Sequence, residues 1–287
     1  MKQIVIISGK GGTGKTIVTA SFAVLARNKI MVDCDVDAAD LHILLHPVIK
    51  ERYEFRSGTK AIIDKNICTQ CGKCSAVCRF NAITKDFIID SISCEGCALC
   101  SHICPVNAIR MEENLSGEWF ISETKYGPFV HAWLGIAQEN SGKLVAQIRQ
   151  VAKEIAEKQN LGYIIIDGPP GIGCPVISSL SGVDLAIIVT EPTLSGVHDL
   201  VRVMEVAEHF KINTKVVINK YDLNLENSNF IESVCKEKNV EILGLIPFSS
   251  MISKAIVHTV PPVEFCNGKI SEEITSIWKK VEMEFYL

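Results

Sequence analysis

Two features of this 287-residue sequence have the residue types and spacing that binding a phosphate group or a metal centre requires. The first is a glycine-rich stretch at residues 9–16, which reads GKGGTGKT. Glycines allow the backbone to turn tightly and point several N–H groups at one anion, while the final lysine and threonine can reach terminal phosphates and Mg²⁺. The stretch follows an apolar run at residues 4–7 and precedes a helix-like segment at 17–25, so it predicts a nucleotide-phosphate loop. The members of this phosphate loop are Gly9, Lys10, Gly11, Gly12, Thr13, Gly14, Lys15 and Thr16.

The second feature is a repeated run of cysteines. Four cysteines separated by two, two and three residues occur twice, 26 positions apart. Three closely spaced cysteines can hold one [4Fe–4S] cluster, and the fourth cysteine of each run reaches across to the other cluster. A structural zinc ion is the alternative, although zinc sites usually use separated C-x₂-C pairs. We expect one cluster on Cys68, Cys71, Cys74 and Cys104, and a second on Cys94, Cys97, Cys100 and Cys78.

Acidic residues follow two apolar, strand-like segments. Asp33, Asp35 and Asp37 come after residues 30–32, and Asp167 comes after residues 163–166. Ligands of open parallel sheets lie beyond the carboxyl ends of the strands, so these carboxylates should lie beside the phosphate loop. We expect Asp167 to serve Mg²⁺ together with Thr16. For each of the other acids, capping of the next helix is the alternative.

A further motif, NKYD, begins at Asn219 and follows another strand-like segment. The amide of Asn219 can hydrogen-bond the edge of a purine base. The pattern is also typical of guanine-specific GTPases, so the sequence leaves the choice between adenine and guanine open. Asn and Asp are ordinary turn residues as well.

These motifs need a scaffold of alternating strands and helices. We predict an α/β fold, a doubly wound and mostly parallel sheet, interrupted by a small α+β domain that carries the cysteines. The predicted boundaries are residues 1–55 and 113–287 for the nucleotide-binding domain and 56–112 for the insert.

The bulk composition limits the possible partners. The chain is 47% hydrophobic and 22% charged, with a formal net charge of −4. This balance argues against nucleic-acid binding. No signal peptide and no apolar run long enough to span a membrane is evident, so we expect a cytoplasmic protein. The acidic C-terminal segment, with its apolar positions at helical spacing, should pack on the protein rather than on an anionic bilayer.

Residues 56–112 resemble the bacterial two-cluster ferredoxins. They depart from that family at Arg79, where a proline is usual; the equivalent Pro105 is retained in the second half. The environments of the two clusters therefore need not match.

Outside the insert, the sequence resembles the MinD/Mrp group of P-loop ATPases, relatives of ParA, the arsenite-pump ATPase and, more distantly, the nitrogenase iron protein. The resemblance rests on the loop pattern KGGxGK[ST] with its additional Lys10, on the DGPPG sequence at Asp167, and on Asn219. It implies an ATP-dependent homodimer in which Lys10 reaches the nucleotide of the opposite subunit and Asp35 orients the attacking water. The same resemblance implies catalytic roles for Lys10, Lys15 and Asp35, Mg²⁺ ligation by Thr16 and Asp167, and adenine contacts from Asn219 and Pro247.

Two isolated residues have more than one interpretation. Cys174 matches the position of a ligand to the subunit-bridging cluster of the nitrogenase iron protein, but a buried or reactive thiol is the simpler alternative, since no second cysteine has a matching position. His131 stands among apolar neighbours, and we expect a hydrogen-bonded core or edge residue rather than a ligand.

Together these features predict an ATPase whose nucleotide-driven dimerisation controls electron transfer through two [4Fe–4S] clusters to an unknown partner protein. Two alternatives remain at this stage. One is a carrier that assembles or delivers iron–sulfur clusters. The other is a positioning or assembly ATPase in which the clusters are structural or sensory.

Overall fold

The computed structural model describes residues 1–135 and 140–285, which form two compact units. Unit 1 contains residues 1–53, 119–133 and the described chain from residue 141 onwards. Unit 2 contains residues 54–118 and the described part of 134–140. The insert predicted at residues 56–112 lies within unit 2.

The strands alternate with helices along most of the chain. The strands are β1 (Lys2–Ser8), β2 (Lys29–Asp33), β3 (Val48–Ile63), β4 (Ile109–Thr124), β5 (Gly127–Leu134), β6 (Tyr163–Pro170), β7 (Leu185–Thr190), β8 (Thr214–Asn219) and β9 (Glu241–Ile246). The helices are α1 (Lys15–Leu25), α2 (Leu41–Leu45), α3 (Lys73–Val77), α4 (Leu99–His102), α5 (Ser141–Lys158), α6 (Cys174–Leu180), α7 (Leu194–His209), α8 (Leu225–Glu237), α9 (Ser250–Val257), α10 (Pro262–Phe265) and α11 (Lys269–Met283). A short 3-10 turn at Tyr221–Leu223 follows β8.

The sheet places the carboxyl ends of seven strands along one edge. The strand order is β3-β4-β5-β2-β6-β1-β7-β8-β9, and every pairing from β5 to β9 is parallel. All residues of β2 and β7 are buried, because a parallel sheet is covered on both faces and its strands become continuously apolar. The predicted α/β fold with a mostly parallel sheet is confirmed.

The C-terminal helix α11 contributes to the core of unit 1. Its residues Ile274, Ile277 and Trp278 are buried, and the Trp278 ring lies 5.0 Å from that of Phe22 on α1. The apolar positions read from the sequence at helical spacing therefore face the protein. Of the helices in the described part of the chain, none is long and apolar enough to cross a membrane.

Unit 2 has its own small core, built from both halves of the cysteine repeat. Ala82 and Ile83 are buried in the first half, and their repeat equivalents Ala108 and Ile109 are buried in the second. Cys74 and Cys94 contribute to the same core. The two halves thus pack around shared apolar residues.

Candidate functional site

The phosphate loop connects β1 to α1 and has the tight backbone that its glycines predict. Gly12 and Gly14 adopt positive φ angles of 79° and 96°, a region that residues with a Cβ avoid. A Cβ on Gly14 would also collide with the Nδ2 atom of Asn219. A Cβ on Gly9 would collide with Asp199 of α7. Close neighbours therefore require glycine at positions 9 and 14, and the positive φ adds a second requirement at Gly14.

Lys15 lies at the centre of a buried group of charges. Its ammonium donates to Asp35 Oδ2 at 2.6 Å, and both side chains are nearly covered. Burial alone would lower the pKa of Lys15, but the neighbouring carboxylates, Asp167 first among them, hold that pKa above its usual value. The Lys15 ammonium is paired with protein carboxylates, and a nucleotide phosphate would compete for the same ammonium.

Asp167 has one oxygen engaged and one free. Its Oδ1 accepts a hydrogen bond from Thr19 at 2.9 Å, and the hydroxyl of Thr16 also donates to the carboxylate. Burial raises the pKa of Asp167, and Lys15 and the hydroxyls offset only part of that rise. Its Oδ2 is buried and has no hydrogen-bond partner. A buried carboxylate oxygen without a partner, beside the Thr16 hydroxyl, fits a Mg²⁺ ion that takes its other ligands from phosphates and water.

Asp33 has a structural role at the end of β2. Its two oxygens accept the backbone N–H groups of Asp35 at 3.1 Å and of Leu41 at 3.2 Å. Burial and the nearby Asp167 carboxylate raise its pKa well above the usual range. Asp33 therefore holds Asp35 and the start of α2 in place, as the helix-capping alternative suggested for one of these acids.

Lys10 points back onto its own subunit. Its ammonium contacts Glu191 Oε1 at 2.8 Å, Thr193 Oγ1 at 2.9 Å and Ser195 Oγ at 2.9 Å. Glu191 lies directly after β7, in the connection to α7. The sequence motifs gave no indication of Glu191, because it lies about 180 positions from Lys10 and belongs to no recognised pattern.

Asn219 braces the phosphate loop from the end of β8. Its Nδ2 donates to the carbonyl of Thr13 at 2.8 Å, and its Oδ1 accepts the backbone N–H of Lys220 at 3.0 Å. The Lys220 ammonium donates to the carbonyl of Gly12 at 3.1 Å. The NKYD motif is thus tied to the phosphate loop in two places.

The last residue of the NKYD motif, Asp222, holds the loop that follows β9. Its Oδ1 accepts the backbone N–H of Phe248 at 2.6 Å, next to Pro247. Asp222 therefore holds the backbone of the loop after β9, a structural role that the sequence motif did not indicate. Asn219 and Pro247 lie at the ends of neighbouring strands, since β8 and β9 pair in parallel with Asn219 opposite Ile246.

The Gly-Pro segment after Asp167 belongs largely to strand β6. Strand β6 continues through Gly168 and Pro169 to Pro170, which pairs with Ser8 of β1. A Cβ on Gly168 would collide with the backbone and side chains of β1, so this part of the segment is tightly packed. The chain leaves the sheet only at Gly171, and Cys174 is exposed at the start of α6.

The eight cysteines of unit 2 line two separate cavities. One cavity is lined by Cys68, Cys71, Cys74 and Cys104, and the other by Cys78, Cys94, Cys97 and Cys100. Each cavity thus receives three cysteines from one run and the fourth cysteine from the other. Apolar side chains, among them Phe87 at the first cavity and Met111 at the second, complete the walls.

The four cysteines that line each cavity form a candidate set of ligands. In residues 1–135 and 140–285, no three His, Cys, Asp or Glu side chains converge closely enough to hold one metal ion. A tetrahedral zinc site would bring three or four ligands onto one ion. A [4Fe–4S] cluster takes one thiolate on each of its four irons, so the four cysteines around each cavity supply the number and type of ligands that such a cluster requires.

His131 is buried in an aromatic cluster on β5, opposite Asp33 of β2. Its Nε2 lies 3.0 Å from the Ser122 hydroxyl, while its Nδ1 has no partner. Its ring stacks on Phe129 at 4.6 Å. Burial lowers the pKa of His131 to about 4, so the ring is neutral near neutral pH.

The fold and the phosphate loop define this chain as a P-loop nucleotide-binding protein. A family model for the CobQ/CobB/MinD/ParA nucleotide-binding domain matches residues 4–263. The chain therefore belongs to the CobQ/CobB/MinD/ParA family, whose MinD and ParA members are nucleotide-binding ATPases.

Several curated relatives align along nearly the whole chain. An uncharacterized protein of Methanocaldococcus jannaschii, MJ0578, is 37% identical, covering 98% of this chain and 96% of the relative. The iron-sulfur cluster carrier protein of the same organism is 26% identical and covers 97% and 83%. The septum site-determining protein MinD of Bacillus subtilis is 24% identical and covers 91% and 81%.

Solved structures agree with the fold. The septum site-determining protein MinD of Pyrococcus horikoshii, complexed with Mg-ADP, superposes with a TM-score of 0.61 at 20% identity. That alignment covers 98% of this chain and 95% of the solved chain.

Proposed function

We propose that this protein is an ATPase that binds two [4Fe–4S] clusters and uses nucleotide-dependent dimerisation to control electron transfer to a partner protein. The observation that carries this proposal is the presence, in one chain, of a glycine-rich phosphate loop with a buried lysine and of two cavities that are each lined by four cysteines.

The nucleotide half of the proposal is supported by the contacts around the phosphate loop. Lys15 and the loop N–H groups would bind the phosphates, and Thr16 and the free oxygen of Asp167 would hold Mg²⁺. A phosphate that draws Lys15 away would release Asp35, whose carboxylate could then orient a water for hydrolysis. Asn219 and Pro247, at the ends of neighbouring strands, would contact the base, and the family membership favours adenine.

The redox half is supported by the crossed arrangement of the cysteines. Clusters bound in the two cavities would each accept and release one electron. Cys74 and Cys94 are buried, whereas Cys71 and Cys97 are exposed, so each cluster would be held inside unit 2 with one edge near the surface. An edge near the surface is what exchange of electrons with another protein requires.

Dimerisation would couple the two halves. By resemblance to its relatives, Lys10 would reach the nucleotide of a second copy of this chain, so that bound ATP joins two subunits. Hydrolysis would remove the phosphate that holds them together and separate the subunits again.

Cluster delivery is the second candidate function. The relative named an iron-sulfur cluster carrier protein, 26% identical to this chain, favours it. The cavities argue for firm retention instead, because each draws ligands from both cysteine runs and the runs share one apolar core. A carrier would lose iron to an apo-acceptor protein, whereas a resident pair of clusters would not.

The proposal is tested by anaerobic purification of the full chain, with iron and sulfide analysis, EPR and sedimentation with and without MgATP. We expect two clusters per chain and a monomer that dimerises with MgATP. Lys10→Ala should keep ATP binding by one subunit while losing the dimer and hydrolysis. Lys143→Ala, which removes an exposed lysine at the start of α5, is the matched control. A Lys10→Ala variant that still dimerises and hydrolyses ATP would contradict the role given to this residue.

A further inference from the structure

The ammonium of Lys10 has no free donor in the present conformation. A lysine ammonium carries three N–H donors, and three oxygen atoms, from Glu191, Thr193 and Ser195, lie within 2.9 Å of it. All three belong to the β7–α7 connection or the first turn of α7. In this arrangement all three N–H donors of Lys10 are used by residues of the same chain.

Glu191 links Lys10 to a second lysine that contacts the phosphate loop. Its Oε1 accepts from Lys10 and its Oε2 accepts from Lys220, both at 2.8 Å. Lys220 in turn donates to the Gly12 carbonyl at 3.1 Å. Only 14% of the Glu191 side chain is exposed, and the two lysines hold its pKa below the usual range against the effect of burial.

The backbone around Glu191 is held firmly enough to keep this carboxylate in place. The start of α7 packs so closely that a Cβ on Gly196 would collide with the Glu191 carbonyl oxygen. Thr193 caps α7 by accepting the Gly196 N–H at 3.0 Å, and Asn227 donates to the Pro192 carbonyl at 3.1 Å. Lys10, with its long flexible side chain, is therefore the mobile member of the pair.

We propose that Glu191 locks Lys10 to its own subunit and thereby limits how readily the protein forms its nucleotide-bound dimer. The lock itself is a property of the monomer. Its effect on dimerisation rests on the proposed function, since Lys10 must leave Glu191 before it can reach another subunit. Glu191 is thus a positioning residue that acts through Lys10.

The Lys10–Glu191 ion pair should be weak enough to break when the dimer forms, yet strong enough to change the dimerisation equilibrium measurably. A partly exposed ion pair changes an equilibrium by up to roughly fivefold. A dimer requires release of Lys10 in both subunits. The two factors multiply, so the dimerisation constant changes by up to roughly 25-fold. Loss of Glu191 should therefore tighten the dimer without improving nucleotide binding by a single subunit.

The direct test measures the reactivity of Lys10 in the nucleotide-free holoprotein. Trace labelling with acetic anhydride, followed by mass spectrometry, compares Lys10 with the exposed Lys236 as an internal reference. In Glu191→Gln we expect Lys10 to be labelled several-fold faster than in the wild type. Glu205→Gln makes the same charge change on the exposed side of α7 and should leave Lys10 unchanged. Equal labelling of Lys10 in Glu191→Gln and the wild type would overturn the lock.

A second measurement separates the lock from the proposed dimerisation. Sedimentation with a non-hydrolysable ATP analogue should give a tighter dimer for Glu191→Gln than for the wild type. Ser195→Ala, which removes a contact of Lys10 without changing charge, should act in the same direction. A Glu191→Gln dimer that is equal to or weaker than that of the wild type would overturn the effect on assembly. If Lys10 becomes more reactive but neither protein dimerises, the lock stands and the proposed dimerisation fails.

Discussion

At the scale of single residues, the Lys15 ammonium offsets the negative charge of buried carboxylates in the nucleotide site. Asp33 and Asp167 are fully buried, and Asp35 is nearly so, beside the single ammonium of Lys15. One ammonium offsets only part of the charge of three carboxyl groups, and the raised pKa values of Asp33 and Asp167 reflect the remainder, because an unpaired buried charge is costly. Lys15 therefore stabilises the fold as well as binding phosphate.

This balance predicts the behaviour of Lys15→Met at different pH values. At pH 7 the variant should lose nucleotide binding and about 3 kcal/mol of unfolding free energy, because the carboxylates lose their partner. Asp33 and Asp167 already have raised pKa values, and loss of the lysine raises them further. The folded state then binds more protons than the unfolded state, so the variant's deficit should shrink as the pH falls from 7 towards 5.

Urea unfolding at several pH values measures this effect. Lys153→Met, which removes a half-exposed lysine on α5, is the control and should change stability little at any pH. A Lys15→Met deficit that stays constant or grows towards pH 5 would show that the carboxylates do not take up the missing charge.

At the scale of elements, the phosphate loop depends on contacts with the end of β8. Gly14 has a positive φ and its missing Cβ leaves room for Asn219, which in turn holds the Thr13 carbonyl. Gly11 has neither constraint, because a Cβ there would meet no atom within 4 Å and its φ is not positive. The four loop glycines are therefore not equivalent.

We predict that Gly14→Ala lowers the free energy of unfolding by about 1–3 kcal/mol in the absence of nucleotide, through backbone strain and the collision with Asn219. Gly11→Ala should leave that free energy nearly unchanged. Thermal and urea unfolding of the two variants test the difference. Equal stability of both variants would mean that the Gly14 position relaxes without cost.

The residues that line the two cysteine cavities predict which cluster each cysteine variant loses. If the ligands cross between runs, Cys104→Ala and Cys74→Ala should lose the same cluster, whereas Cys78→Ala and Cys100→Ala should lose the other. Each variant should keep about half of the iron, and the remaining EPR signal should match within each pair and differ between pairs.

Cys266→Ala, which changes a buried cysteine outside both runs, should keep all of the iron. If the remaining EPR signal of Cys104→Ala matches that of Cys100→Ala instead of Cys74→Ala, each cluster takes all its ligands from one run. That result would contradict the crossed arrangement.

At the scale of the whole molecule, the sequence predicted those features that local patterns encode. The phosphate loop, the parallel strands and the grouping of the acids follow from motifs and from apolar runs that end in carboxylates. The grouping of the cysteines around the two cavities likewise agrees with the repeat. Strand boundaries were less predictable: the Gly-Pro segment after Asp167 continues β6, because packing against β1 and pairing with Ser8 hold it in the sheet.

Contacts between distant segments could not be predicted from the sequence. Glu191 lies in an ordinary strand-to-helix connection, and only the sheet order brings it beside Lys10 and Lys220. Asp222 looked like part of a base-recognition motif, yet its carboxylate holds the backbone of Phe248. Both residues act through pairings across strands, which no local pattern records.

The central claim, that nucleotide state controls the clusters, is tested most directly by redox titration of the anaerobic holoprotein followed by EPR, with and without MgATP. We predict that MgATP shifts the reduction potential of at least one cluster in the wild type, and that Lys10→Ala abolishes the shift while both clusters remain bound. Superimposable titrations of the fully loaded wild type with and without MgATP, together with equal rates of electron transfer to an acceptor, would contradict the coupling.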